Sequence, residues 1–113
     1  MSEELTEPQK EINGLVAKAQ KALEEYASFD QEKIDYIVAK ASVAALDQHG
    51  YLAKLAVEET KRGVLEDKAT KNLFACEYVV NHMRHLKTVG VIEDDDVTGI
   101  VKIAEPVGVV AGL

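Results

Sequence analysis

Apolar residues recur at three- and four-residue spacing along the first three-quarters of the chain, a pattern typical of amphipathic helices. We predict four helices. The first begins at Thr6, whose hydroxyl is suited to cap it, and the second follows Asp30 and ends at His49 and Gly50. The apolar stripe of the first helix consists of Ile12, Leu15, Val16, Ala19, Leu23 and Tyr26.

The third predicted helix runs from Tyr51 to Arg62 and stops before Gly63. Its inward positions are Leu52, Leu55 and Ala56. The fourth has Glu66 in its first turn and Lys87 near its last. It has the most regular seam of the chain, widened by Phe74, Tyr78 and Val79. The seam residues are Ala69, Leu73, Cys76, Val80 and Met83.

Beyond the fourth helix the period changes to that of β-strands. Two β-rich runs, Thr88 to Ile92 and Val97 to Ala104, flank the acidic stretch 93–96. We predict a β-hairpin with a solvated acidic tip. A two-stranded ribbon is only marginally stable alone, so it is expected to lie against another sheet or subunit. One face is predicted to hold Val97, Val101 and Ile103.

The last residues of the chain, Val107 to Leu113, form a continuous run of small apolar residues that follows Pro106. Such a run is typical of a strand buried on both faces of a parallel sheet. A lone buried strand cannot satisfy its backbone, and no other segment resembles its neighbours. We therefore expect the partner strands beyond Leu113, in a longer polypeptide.

The composition favours one globular domain and argues against a nucleic-acid surface, a membrane span and an internal disulfide framework. The chain has 113 residues, 47% hydrophobic and 29% charged, which is ordinary for one globular domain. Its formal net charge of -7 argues against a nucleic-acid surface, because phosphate binding needs clustered Lys and Arg. No apolar run approaches the roughly 20 residues of a membrane span. A single cysteine, Cys76, excludes an internal disulfide framework and fits a cytoplasmic location.

Two groups of side chains are candidates for chemistry. Cys76 lies in the middle of an apolar seam, where a free cysteine usually behaves as a small hydrophobe rather than a nucleophile. His82 and His85 lie one helical turn apart and could share a metal with Asp94, although metal sites usually need three or four ligands. These patterns assign no catalytic residue and no metal ligand.

The acidic stretch 93–96 and the terminal glycines are weaker candidates. The acidic stretch lacks the spaced oxygens and the glycine of an EF-hand loop, so a solvated turn is the simpler interpretation. Gly108 and Gly112 lack the GxGxxG spacing of a nucleotide-binding turn. They indicate close packing around a buried strand.

Four strings carry a family resemblance: EYASFDQEKID (25–35), AVEETKRGVLEDKATKN (56–72), TVGVIEDDDVTG (88–99) and KIAEPVGVVAGL (102–113). They resemble the N-terminal part of the CoA-acylating aldehyde dehydrogenases, and within that family the aldehyde dehydrogenase half of bacterial bifunctional aldehyde-alcohol dehydrogenases. The resemblance implies an α/β fold with a helical part of the cofactor domain (1–87), a β-hairpin arm (88–105) and the first strand of a Rossmann-type sheet (106–113). It also implies a homo-oligomer joined through the arm, Thr88 to Glu105, and filaments in bifunctional members.

The resemblance further implies a reaction on small molecules. Members of the family interconvert an acyl-CoA and an aldehyde with NAD and coenzyme A, through a cysteine far downstream of the position of Cys76. In bifunctional members a fused iron-dependent alcohol dehydrogenase completes fermentative ethanol formation. Leu113 matches the end of the first cofactor-domain strand, so it is the one cofactor-binding residue expected here, with a strand-end core residue as the alternative. The segment alone is expected to be inactive.

Two other interpretations stay open. The chain could be a self-contained helical binding or scaffold module that dimerises through its hairpin, in which case it should unfold cooperatively as a defined oligomer. It could also be a metal-binding regulator that uses His82 and His85, in which case metal should change its stability.

Overall fold

The computed structural model describes residues 4–113, so the first three positions of the predicted helical part lie outside the described residues. Within that range the helices are α1 (Glu7–Tyr26), α2 (Gln31–Asp47), α3 (His49–Thr60), α4 (Leu65–Leu73) and α5 (Val80–Met83). The strands are β1 (Gly90–Asp95) and β2 (Ile100–Ala104). A π-helical turn, Phe74–Val79, joins α4 to α5 without a break. α4, the π-helical turn and α5 together form the predicted fourth helix. The predicted order of four helices followed by a hairpin is therefore confirmed.

The chain divides into two compact units. One contains α1 and the hairpin, from residues 4–30 and 87–113, and the other is Gln31–Leu86. In the second unit, α3 packs on α4, while α2 packs on the π-helical turn and on α5. Among residues 4–113, the buried side chains are those of Ile34 in α2 and Ala53 in α3, with 7% and 0% exposure.

The start of α1 agrees with the prediction. The amide of Gln9 donates to the hydroxyl of Thr6 over 3.4 Å, and the amide of Thr6 donates to the side-chain oxygen of Gln9 over 2.8 Å. This reciprocal pair is a capping box, which satisfies amides that the first turn leaves without helical partners. Pro8 also lies in this turn, where its missing amide costs nothing.

Replacing Thr6 with alanine is expected to destabilise the first turn of α1 by about 1 kcal/mol, because the hydroxyl acceptor is lost. Amide hydrogen exchange at Gln9 should then become roughly fivefold faster. Thr6→Ser is the matched control, since it keeps the hydroxyl and should exchange at the original rate. An unchanged rate in Thr6→Ala would show that the hydroxyl does not hold this turn.

The α2–α3 junction differs from the prediction. His49 and Gly50 form the first turn of α3 and do not end the second helix, because Gln48 alone departs from helical geometry, with φ -108° and ψ 7°. The Nδ1 atom of His49 lies 2.6 Å from the carbonyl oxygen of Leu46, so the ring bridges the two helices. Asn72 of α4 donates a 3.0 Å hydrogen bond to the carbonyl of His49. This contact ties α4 to the junction.

The predicted inner face of α3 is wrong in part. Leu52 and Leu55 are exposed, whereas Ala53 is buried and Ala56 is half-buried. The helix therefore packs through its small residues, which allow the backbones of α3 and α4 to approach closely.

The end of α3 also differs from the prediction. The helix ends at Thr60, and Lys61 takes the left-handed conformation with φ 56°. The amide of Lys61 donates to the carbonyl of Val57 over 2.9 Å. Lys61 thus closes the helix in the position that glycine usually occupies, and Gly63 is not the stop signal.

The predicted seam of the fourth helix is confirmed except at Met83, which is exposed. The half-buried seam residues are Ala69, Leu73, Cys76 and Val80. Phe74 and Tyr78, predicted to widen the buried face, are instead exposed. Their rings stack on each other with centroids 5.9 Å apart.

The apolar stripe of α1 is only partly covered in this chain. Its residues nearer the N-terminus are exposed, and those nearer the C-terminus are half-buried. The exposed ones are Ile12, Leu15 and Val16, and the half-buried ones are Ala19, Leu23 and Tyr26.

Residues 105–113 have no regular secondary structure, and Val107 is 96% exposed. β1 and β2 form the one sheet found among residues 4–113. The terminal run therefore has no neighbouring strand with which to exchange backbone hydrogen bonds, and it does not form the predicted buried strand here. A strand at 106–113 stays a prediction for a longer polypeptide.

Candidate functional site

The hairpin is the best-defined candidate for a functional surface, and we call residues 88–105 the arm. β1 and β2 pair antiparallel, and residues directly opposite each other share a face of the ribbon. Val91 pairs with Ile103, and Asp94 pairs with Val101. These four residues define the apolar face of the arm, on which Asp94 is the one charged member.

The opposite side of the ribbon is the charged face of the arm. It contains the pairs Glu93 with Lys102 and Asp95 with Ile100. The ammonium of Lys102 and the carboxylate of Glu93 lie 2.5 Å apart, so the strands are joined by an ion pair. Since both partners are more than half exposed, this ion pair contributes little to stability.

A β-bulge at Ile92 separates the two faces. Val91 and Glu93 pair with Ile103 and Lys102, which are adjacent in β2, so Ile92 is the extra residue. In a regular strand, residues two apart point to the same side. The bulge therefore places Val91 on the apolar face and Glu93 on the charged face.

Asp95 organises the four-residue turn 96–99 between the strands. Its carboxylate accepts the amide of Val97 over 2.9 Å and the hydroxyl of Thr98 over 2.6 Å. The amide of Gly99 donates to the backbone carbonyl of Asp95 over 2.8 Å, with a φ of 70° that glycine adopts without strain. The hydrogen bond from the Thr98 hydroxyl, followed by those from the Val97 and Thr98 amides, lowers the pKa of Asp95.

This turn corrects the predicted hairpin. Glu93, Asp94 and Asp95 belong to β1 rather than to the tip, and Val97 is 95% exposed in the turn rather than on a strand face. Side-chain bonds of Asp95 and the backbone freedom of Gly99 outweigh the strand preference of Val97. An acid followed by a hydroxyl residue and glycine is a turn signal that the sequence contains.

The lowered pKa of Asp95 predicts a pH dependence of the turn. Its stabilisation should be fully present above the ordinary pKa of an aspartate and be lost as the pH falls through the lowered value. Amide chemical shifts of Val97 and Thr98 in an acid titration measure this. Asp95→Asn should abolish the titration of both amides. Asp94→Asn, the neighbouring control, should leave it intact, and equal behaviour of the two variants would refute the assignment.

The other candidate residues are not brought together. Cys76 is half-buried in its seam. Among residues 4–113, no group of three or more His, Cys, Asp or Glu side chains is arranged to hold a metal ion, so His82, His85 and Asp94 form no such cluster. No described helix has both the length and the apolar character needed to cross a membrane.

Leu113 lies at the end of the exposed terminal run. The side chain of leucine offers no polar atom to a phosphate or ribose, and the part of Leu113 in cofactor binding stays a prediction. Gly108 has a φ of 109°, a conformation that favours glycine and departs from strand geometry.

The chain is similar to known aldehyde-alcohol dehydrogenases and acetylating aldehyde dehydrogenases. No protein-family model matches the chain. Aldehyde-alcohol dehydrogenase 2 of Entamoeba histolytica is 68% identical over 104 residues, and the aldehyde-alcohol dehydrogenase of Streptococcus pneumoniae serotype 4 is 71% identical over 105 residues. These alignments cover 90% and 93% of this chain. The solved acetylating aldehyde dehydrogenase of Geobacillus thermoglucosidasius is 40% identical, with a TM-score of 0.69 over 77% of this chain.

The resemblance to the CoA-acylating aldehyde dehydrogenases is confirmed. The predicted fold class is confirmed with it, since the helices and the hairpin follow the aldehyde dehydrogenase fold. The chain spans 12% of the length of each of the two aldehyde-alcohol dehydrogenases and 19% of the Geobacillus acetylating aldehyde dehydrogenase.

Proposed function

We propose that this chain is an N-terminal segment of an NAD-dependent, CoA-acylating aldehyde dehydrogenase that interconverts acetyl-CoA and acetaldehyde. The observation that carries the proposal is the 68% and 71% identity to two aldehyde-alcohol dehydrogenases over at least nine-tenths of the chain. Identity to the Geobacillus acetylating enzyme is lower, at 40%. A parent with a fused alcohol dehydrogenase is therefore favoured. We further propose that this fused domain is iron-dependent and that the parent is cytoplasmic and acts in fermentative ethanol formation.

The chemistry of the parent depends on groups outside this segment. NAD would exchange a hydride with the substrate, and coenzyme A would be the co-substrate. Cys76 is half-buried on an apolar seam, a poor setting for a nucleophile, so the reactive thiol is expected elsewhere. Leu113 is the one residue here that we propose to lie near the dinucleotide. One apolar side chain cannot hold a dinucleotide, and the reactive thiol is expected outside this segment, so the segment alone should be inactive.

The role proposed for the segment is structural. The exposed part of the α1 stripe and the terminal run would pack on the rest of the cofactor domain, where residues 106–113 would join a parallel sheet. The arm would join subunits into a homo-oligomer through its apolar face. This proposal is supported by the distribution of side chains, since three of the four paired residues on one face are apolar and three of the four on the other are charged. The marginal stability of a two-stranded ribbon alone also supports it.

The proposal can be tested by replacing the matching segment of the Streptococcus pneumoniae aldehyde-alcohol dehydrogenase with this chain, to which it is 71% identical over 105 residues. We call the resulting protein the exchange enzyme. We expect the exchange enzyme to oxidise acetaldehyde in a reaction that requires both NAD and coenzyme A. Alcohol oxidation by the same polypeptide is the internal control for folding.

Loss of acetaldehyde oxidation with intact alcohol oxidation would contradict the proposal. If, in addition, the 113-residue chain unfolds cooperatively as a defined oligomer, the binding or scaffold module would be favoured.

A further inference from the structure

We draw no further inference here: the strongest candidate, the exposed aromatic surface patch that Phe74 and Tyr78 form on the π-helical turn of the second unit, carries no proposal because nothing in the structure shows what covers it.

Discussion

Ala53→Asp should destabilise the Gln31–Leu86 unit by about 2 to 6 kcal/mol. Ala53 is fully buried on α3, which packs on α4. The larger side chain would overfill this contact, at a cost of about 1 to 3 kcal/mol. Its carboxyl would also be buried without a hydrogen-bond partner, which costs about 1 to 3 kcal/mol more. Urea unfolding of the 113-residue chain, followed by helical circular dichroism, measures the sum.

The adjacent Leu52 provides the control. Leu52→Asp places the same side chain on the same helix, but on its exposed side. Helix propensity and surface exposure then limit the loss to under about 1 kcal/mol. Equal losses in the two variants would mean that α3 does not pack through Ala53.

The second large effect concerns assembly and rests on the proposed role of the arm. In the exchange enzyme, Ile103→Lys should weaken subunit association by at least roughly tenfold, because it would place an ammonium in an apolar contact. Light scattering over a dilution series should show smaller species at concentrations where the unmodified exchange enzyme stays assembled.

Ile100→Lys is the matched control for the arm. Ile100 lies on the same strand, with 57% exposure against 61% for Ile103, but on the charged face opposite Asp95. A lysine there gains an acidic neighbour and should leave assembly unchanged. Dissociation of both variants, or of neither, would argue against contact through the apolar face.

Local signals explain what could be predicted from the sequence. The start of α1 depends on Thr6 and Gln9, three residues apart, and the seam of the fourth helix follows the helical period. The order of helices and hairpin follows from the change of period after residue 87. Such features need only near neighbours, which the sequence displays directly.

Contacts between distant residues explain what was missed. Asn72 binds the carbonyl of His49 across 23 positions, and burial of Ala53 rather than Leu52 depends on where α4 lies. Neither contact has a periodic signature. The turn at Asp95 differs from the prediction for another reason, since the turn chemistry of Thr98 and Gly99 outweighs the strand preference of Val97.

The candidate site was predictable only in part. The resemblance of KIAEPVGVVAGL to the family led to the CoA-acylating aldehyde dehydrogenases, whereas the side chains of this chain, read alone, indicate no reaction. A terminal run with a single leucine at its end cannot reveal a dinucleotide site, because the polar groups that hold such a ligand come from several strands and loops.

The bulge at Ile92 also makes one position of β1 tolerant of deletion. Loss of Ile92 would leave Val91 and Glu93 adjacent and still opposite Ile103 and Lys102. Every pair beyond it would keep its partner and its side. Loss of a residue elsewhere in β1 would instead exchange the two sides for part of the strand, since the side-chain period is two. Natural length variation in this strand is therefore expected to concentrate at position 92.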